Sequence, residues 1–324
     1  LDTCKIIAAG KAAAQRTVTN DDLSKIVETN DEWISSRTGI SRRQITFDES
    51  TTDLAYRASV DAINKSGIDK NTIDLIIVAT ISPDFFMPST ASMLQYRLGL
   101  NENNVTAFDL NAACTGLIYA IQVADKFIKS GSVRRALVVG SETLSRTIDW
   151  NDRGTCVLFG DGAGALLLER SDSGIMADYT NSRGDAEMNL VLPALPLDSP
   201  FSSKLDSPPS KMTMNGGEIF KFATFAIKDT IDNLLRSSRI EIEDISLVIP
   251  HQANGRIISK VSKLTKIPLE KFYLNLSKYG NTSSASIGLA LAEAMEDGLI
   301  KKGDKVLLVG FGGGLTWGGV IHEF

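Results

Sequence analysis

One cysteine stands in a setting where a thiol can react: Cys114, in LNAACTGLIYA (110–120), between small residues and just ahead of a strongly apolar helical pattern. A strand-like run, VTAFDL (105–110), precedes it and a helical one, Thr115–Lys129, follows, so its place is the first turn of a helix. Unpaired N–H groups and the positive end of the helix dipole favour thiolate there, so the thiol pKa is expected to fall. The same surroundings suit a thiol that merely fills space in a core. Which holds depends on partners elsewhere in the chain.

Only two histidines are present. His322 lies in the strand-like GGVIHEF and fits ordinary packing. His251 ends an apolar strand in VIPHQANGRI, and groups beyond the carboxyl ends of parallel strands are where α/β sheets gather their chemistry. Asn281, in YGNTSSAS, falls between a glycine and small hydroxyl residues, where capping the following helix is the simpler role. The glycine run GFGGGLTWGG (310–319) lets backbone approach a ligand closely and offers N–H donors. As a nucleotide fingerprint it fails, because no helix follows it.

Buried strands and amphipathic helices must position these groups. Strand-like runs at 74–81, 135–141, 164–169, 245–250 and 304–312 alternate with helical stretches such as Thr52–Lys65. Their uninterrupted apolar character marks strands covered on both faces, hence a layered α/β fold. Pro193–Gly217 holds five of the nine prolines and reads as a long ordered loop. Apolar content of 43% and a net charge of −5 fit a soluble globular protein and disfavour general nucleic-acid binding. No run is long enough to span a membrane, and the N-terminus lacks the layout of a signal peptide. Cys4, Cys114 and Cys156 are too few and scattered for a disulfide framework or a zinc site, so a reducing, cytoplasmic setting is expected.

The chain also echoes itself. An offset of 172 residues lays NKSGIDKNTIDLIIVA (64–79) over RSSRIEIEDISLVIPH (236–251) without a gap, with Ile68, Ile73 and Leu75 over Ile240, Ile245 and Leu247. The same offset puts Cys114 over Ser286, Gly116–Leu117 over Gly288–Leu289 and His251 over Ala79; a two-residue slip lays ALVVG (136–140) over VLLVG (306–310). Two similar α/β halves are expected, residues 1–172 carrying the cysteine and 173–324 carrying the histidine and asparagine.

NAACTG, FGDGAGA, PHQANGRI, YGNTSSAS and FGGGLTWG, in this order, resemble the β-ketoacyl-[acyl carrier protein] synthases of type III. TNDEWISSRTGI (29–40) and DWNDRGTCVLFGDGAGA (149–165) belong to the same pattern, which spans nearly the whole chain. Thr115, where Ala or Ser is usual, and Ser284, where Ala is usual, are small departures. The resemblance implies a thiolase-like, five-layered αβαβα fold, a homodimer, and initiation of fatty-acid synthesis. The implied reaction is a decarboxylative Claisen condensation of an acyl-CoA primer with malonyl-[acyl carrier protein]. No cofactor is implied, since the CoA thioester is a substrate.

Carried over position by position, Cys114, His251 and Asn281 match the family's triad, and the backbone N–H groups of Cys114 and Gly313 its oxyanion donors. Trp33 and Arg153 match the pair that holds the adenine of CoA; Thr29, Arg37, Gly216, Phe220 and Asn254 match its other CoA contacts. Arg256, Lys260 and Lys263 recur along one helical stripe after His251, and with Lys221 and Gln252 they would meet the acidic carrier protein. Met87 matches the side chain lent across the dimer into the neighbour's acyl pocket, and its adaptable thioether suits acetyl or a slightly longer or branched primer. Two histidines, with YGNTS in the third role, argue against a Cys-His-His synthase. A degradative thiolase would need a second cysteine near the C-terminal glycines. A secondary-metabolite starter synthase with the same triad fits these motifs equally, and an intact triad argues against a binding-only subunit.

Overall fold

The computed structural model describes residues 3–195, 200–201 and 210–324. One sheet is drawn from the first part of the chain: β1 (Thr3–Ala13), β2 (Leu75–Ala79), β3 (Thr106–Leu110), β4 (Arg135–Thr143) and β5 (Asp161–Ser171). Its order is β1-β5-β4-β2-β3. A second sheet takes β6 (Ile175–Ser182), β7 (Ile245–Pro250), β8 (Lys305–Gly312) and β9 (Thr316–Glu323), in the order β7-β8-β9-β6. In the first sheet β2 pairs in parallel with both β3 and β4, in the second β7 pairs in parallel with β8, and in each sheet the two remaining pairings are antiparallel. A single parallel bridge from Val248 to Phe272 stands where β3 stands in the first sheet.

The helices that matter most for the site are α1 (Thr51–Ser66), α2 (Gly116–Lys129), α3 (Gly216–Ser238), α4 (Gly255–Thr265) and α5 (Ser286–Glu296). Strand residues alternate between two buried layers, which explains their unbroken apolar runs. Ile76 and Val78 point to the outer layer under Leu54 and Ala58 of α1. Leu75 and Ile77 point to the central layer, where Leu117 and Ile121 of α2 meet Ile287 and Leu291 of α5. On the far side Phe222, Ile227 and Ile231 of α3 pack on Val248, Leu307 and Val309. The result is the expected five-layered αβαβα stack with duplicated halves. Among the described residues no helix is long and apolar enough to cross a membrane.

Local sequence sets the helix ends. Ser50 caps α1 in a reciprocal box with Asp53, and Gly67 closes it at φ 67°. Asn254 caps α4 by accepting from the Arg256 N–H. Within the stretch expected to be a loop, Thr213–Met214 pairs with Leu190–Val191 and Gly216 already opens α3; residues 196–199 and 202–209 lie outside the described residues.

The internal echo is exact for the strands but not for the helices. Leu75–Ala79 and Leu247–His251 keep the 172 offset, whereas Ala136–Gly140 and Val306–Gly310 carry the two-residue slip. The left-handed residues that start the two buried helices are Ala113 (φ 47°) and Ser283 (φ 48°), which places Cys114 over Ser284 rather than Ser286. Loop lengths ahead of the helices account for this correction.

The central layer closes through backbone contact. A Cβ on Gly164 would come within 2.5 Å of Gly288 backbone, so β5 and α5 touch with no side chain between them. Gly164→Ala is expected to lower the unfolding free energy by roughly 1–3 kcal/mol, the range for overpacking. Gly184→Ala, with nothing within 4 Å, is the control. Urea unfolding of both checks this, and an unchanged midpoint for Gly164→Ala would show that the layers are not in contact.

Candidate active site

Cys114 lies in the tight turn Ala113–Thr115, between the end of β3 and the start of α2. Asn111 Oδ1 accepts the Ala113 N–H at 3.2 Å, which helps the backbone adopt the left-handed conformation. Thr316 binds the turn from the other half of the chain. Its hydroxyl lies 3.0 Å from Thr115 Oγ1 and 3.1 Å from the carbonyl oxygens of Ala112 and Gly313. Thr115 in turn donates to the Thr316 carbonyl. Gly312 must be glycine here, because a Cβ would lie 2.7 Å from the Cys114 nitrogen.

His251 extends β7 by one residue, its N–H donating to Val309 O at 2.7 Å. The ring meets Phe311 edge-on with centroids 5.0 Å apart, and Nδ1 lies 2.6 Å from Ser286 Oγ. Burial drives its pKa down to about 3, so the imidazole is neutral. Asn281 is fixed through its backbone, donating to Leu158 O and accepting from the Gly160 N–H. Its Oδ1 accepts the Ser283 N–H at 2.9 Å, as Asn111 does in the first half. The helix-cap role expected of Asn281 is not realised, since α5 starts after Ala285 with no side-chain cap; the Oδ1 bond instead closes a local turn and leaves Nδ2 as a donor without a protein partner among the described residues.

The three side chains line one cavity of about 210 Å³, together with Phe311 and Gly312. Trp33, Arg37, Arg153, Gly216, Phe220 and Asn254 line the same space. Cys114 also borders a second cavity of about 650 Å³ that includes Leu144, Phe159, Leu190, Leu192, Met212 and Gly313. The thiol thus stands at the junction of a narrow channel and an apolar chamber.

Its acidity differs from the sequence expectation. Burial pushes the Cys114 thiol up to about 12; the neighbouring Ser283 hydroxyl and the site's own backbone N–H oppose this, and the nearby Glu142 carboxylate adds to it. The helix-start argument omitted the enclosure, with only 6% of the residue exposed. Glu142 is itself wholly buried, accepting from Ser82 Oγ (2.6 Å), Ile81 N (3.1 Å) and Ser284 Oγ (2.7 Å), and burial raises its pKa. The unusual Ser284 supplies one of those donors.

Other expected residues divide. Arg153 and Trp33 come together, but they stack directly with the guanidinium 4.5 Å from the ring centre, and Arg37 sits at 4.8 Å. A purine would have to enter by displacing one guanidinium. Thr29 is not among the lining residues, although its neighbour Glu28 accepts from Arg153. Asn254 lines the cavity while capping α4 and donating to Arg37 O. Arg256, Lys260 and Lys263 are exposed along α4, Lys260 lies over the Phe220 ring at 5.4 Å, and exposed Lys221 pairs with Glu218. Gln252 is a correction: 1% exposed, it donates to Pro250 O and Tyr273 O and accepts the Asn275 N–H, so its side chain cannot meet a docked protein. Met87 is 88% exposed, beside exposed Phe85 and Phe86 that border the apolar chamber.

Sequence reading missed Gly312, Thr316 and Arg43. Arg43 is fully buried with no carboxylate partner among the described residues, and burial lowers its pKa to about 10. Its guanidinium donates to Asn20 Oδ1, Val18 O and Val157 O, bracing the segment that pairs with Asn281. No spacing signal marks such a residue.

A buried thiol sharing a cavity with a neutral imidazole and a carboxamide, on a duplicated five-layered fold, defines a thiolase-fold condensing acyltransferase. Residues 108–184 match the family described as 3-Oxoacyl-[acyl-carrier-protein (ACP)] synthase III, and residues 235–324 match that family's C-terminal domain. The chain is 50% identical over 323 residues to the β-ketoacyl-[acyl-carrier-protein] synthase III of Clostridium perfringens, covering 99% of each. Solved 3-oxoacyl-[acyl-carrier-protein] synthase III structures superpose along the full length. That from Aquifex aeolicus gives a TM-score of 0.91 at 43% identity, covering 99% of this chain and 100% of that one. That from Thermus thermophilus gives 0.92 at 39%, covering 99% of each. The chain belongs to the 3-oxoacyl-[acyl carrier protein] synthase III family.

Burial also lowers the pKa of His322 to about 3. With both rings held near 3, their carbon-bound proton signals are expected to stay flat in an NMR titration from pH 5 to 8. An inflection near the ordinary histidine value for His251 would contradict a neutral, dry site.

Proposed function

We propose that this protein joins an acyl-CoA primer to malonyl-[acyl carrier protein] through an acyl-Cys114 intermediate, starting fatty-acid synthesis. The observation that carries this reading is the shared cavity of Cys114, His251 and Asn281. In the first half-reaction, sulfur attacks the thioester carbonyl, and the thiol proton leaves with CoA as its free thiol. The backbone N–H groups of Cys114 and Gly313 hold the tetrahedral oxyanion; one such donor contributes roughly 3 kcal/mol. Because the resting thiol is protonated, charge develops on sulfur only as it reacts, next to the start of α2. CoA enters past Trp33, Arg37 and Arg153, with Gly216, Phe220, Asn254 and, further out, Thr29 beside it.

In the second half-reaction the malonyl C–C bond breaks and CO₂ departs. The electron pair forms an enolate whose oxygen accepts from His251 and from Asn281 Nδ2. Its carbon attacks the acyl-Cys114 carbonyl, and sulfur is expelled and reprotonated from solvent. Neutral donors suit this step, since they steady the oxygen without handing over a proton. The apolar face of Phe311 favours loss of the carboxylate charge. The reaction calls on no cofactor, because CoA is only the leaving group.

Arg256, Lys260, Lys263 and Lys221 form the docking face for an acidic carrier protein. The protein works as a homodimer in the cytoplasm, with Met87 reaching the partner's acyl chamber and the two halves, 1–172 and 173–324, acting as one repeat each. The free edge of β3 and the exposed Phe85–Met87 segment support that pairing.

His251→Ala or Asn281→Ala should lower CO₂ release from malonyl-carrier protein by about 10²–10³-fold while transfer of an acyl group to the enzyme stays measurable. Loss of acylation with decarboxylation intact would reverse the assigned roles. Arg256→Glu should raise the carrier-substrate KM about tenfold and leave CoA-dependent acylation nearly unchanged, since reversing a docking charge costs roughly 1–2 kcal/mol. Equal losses in both steps would remove the docking face from α4.

A further inference from the structure

Ser286 opens α5, is buried, and has no part in the scheme above. Its Oγ lies 2.6 Å from His251 Nδ1 and 3.4 Å from the Gln252 nitrogen. A hydroxyl carries one proton and two lone pairs. The backbone N–H can only donate, so one lone pair of Ser286 is used there. Among the described residues, the remaining contact of this hydroxyl is Nδ1. If Nδ1 carried the ring proton, Ser286 would accept twice and its own proton would be buried with no acceptor. Donation from Ser286 to Nδ1 satisfies every group, and it leaves the ring proton on Nε2.

We propose that Ser286 is a positioning residue that locks His251 as the Nε2–H tautomer, so that the imidazole turns a donor and not a lone pair toward the substrate cavity. This rests on the reading of His251 as a donor to the enolate oxygen. In the other tautomer two lone pairs would face each other, and decarboxylation would lose its stabiliser. The selection is made by a contact between residues 35 apart, at the junction of β7 and α5.

The chain supplies its own reference. His322 Nε2 accepts the Ile6 N–H at 2.9 Å, so the proton of that neutral ring sits on Nδ1. The two histidines are thus held in opposite tautomers. Long-range ¹H–¹⁵N correlation on the full chain labelled with ¹⁵N-histidine distinguishes the two, and His251→Ala assigns the signals. The expected spectrum shows one ring protonated at Nε2, lost in His251→Ala, and one protonated at Nδ1. In Ser286→Ala the His251 ring should become a tautomer mixture, with malonyl decarboxylation down about 10- to 100-fold and Cys114 acylation within about twofold of the parent, as for other residues that orient a reacting group. A wild-type His251 protonated at Nδ1 overturns the proposal without need of any variant. A pure Nε2–H ring surviving in Ser286→Ala overturns it as well. A mixture with unchanged decarboxylation upholds the lock and instead overturns the donor role of His251.

Discussion

The structure depends on backbone meeting backbone where the two halves join. Each central strand gives up its side chain at the point where the other half's buried helix begins. A Cβ on Gly140 would lie 2.2 Å from the Ser284 carbonyl oxygen, and one on Gly310 would lie 3.2 Å from Thr115 Cα. These two glycines occupy equivalent places on β4 and β8, so the contact is made twice, once in each direction. Gly312 extends it, leaving room for the Cys114 nitrogen itself. Close packing of this kind leaves little freedom to adjust, and it sets the thiol of one half beside the strand ends of the other.

The duplication also explains what the site is made of. With the local register applied, Cys114, His251 and Gly312 correspond to Ser284, Ala79 and Glu142. The second set occupies a real place in the fold, where the Ser284 hydroxyl meets both Ala79 O and the Glu142 carboxyl. One copy therefore carries a buried thiol at a cavity, and its counterpart carries a closed hydrogen-bonded knot beneath it. Asn111 and Asn281 keep the same backbone bond in both halves. Only Asn281 lines the narrow channel beside His251, while Asn111 borders the apolar chamber. Two cavities meeting at Cys114 suit a reaction in which the acyl chain moves one way and the two carriers come and go by the other.

Much of this was legible in the sequence. Strands buried on both faces announce themselves by unbroken apolar runs, and β7 begins and ends where its pattern does, at Ile245 and Pro250. His251 at a strand end and Cys114 ahead of an apolar helix were readable for the same reason. What escaped notice depends on contacts between distant residues. The amide of Gln252 reads as surface chemistry in a motif, yet it is spent on Pro250, Tyr273 and Asn275 inside the protein. The acidity of Cys114 was judged from its helix alone, and the enclosure that outweighs the dipole comes from residues distant in sequence, such as Gly312 and Ser283. Arg43 and Thr316 show no pattern at all, since each works mainly through backbone carbonyl oxygens that any residue could supply.

Covalent capture on Cys114 is the hinge of this account, and mass spectrometry reads it directly. After incubation with acetyl-CoA, peptide mapping should find the acyl group on the Cys114 peptide and on neither Cys4 nor Cys156. The adduct should disappear when malonyl-carrier protein is added. An adduct on another cysteine, or one that persists through that chase, would contradict a single thiol working with partners from the opposite half.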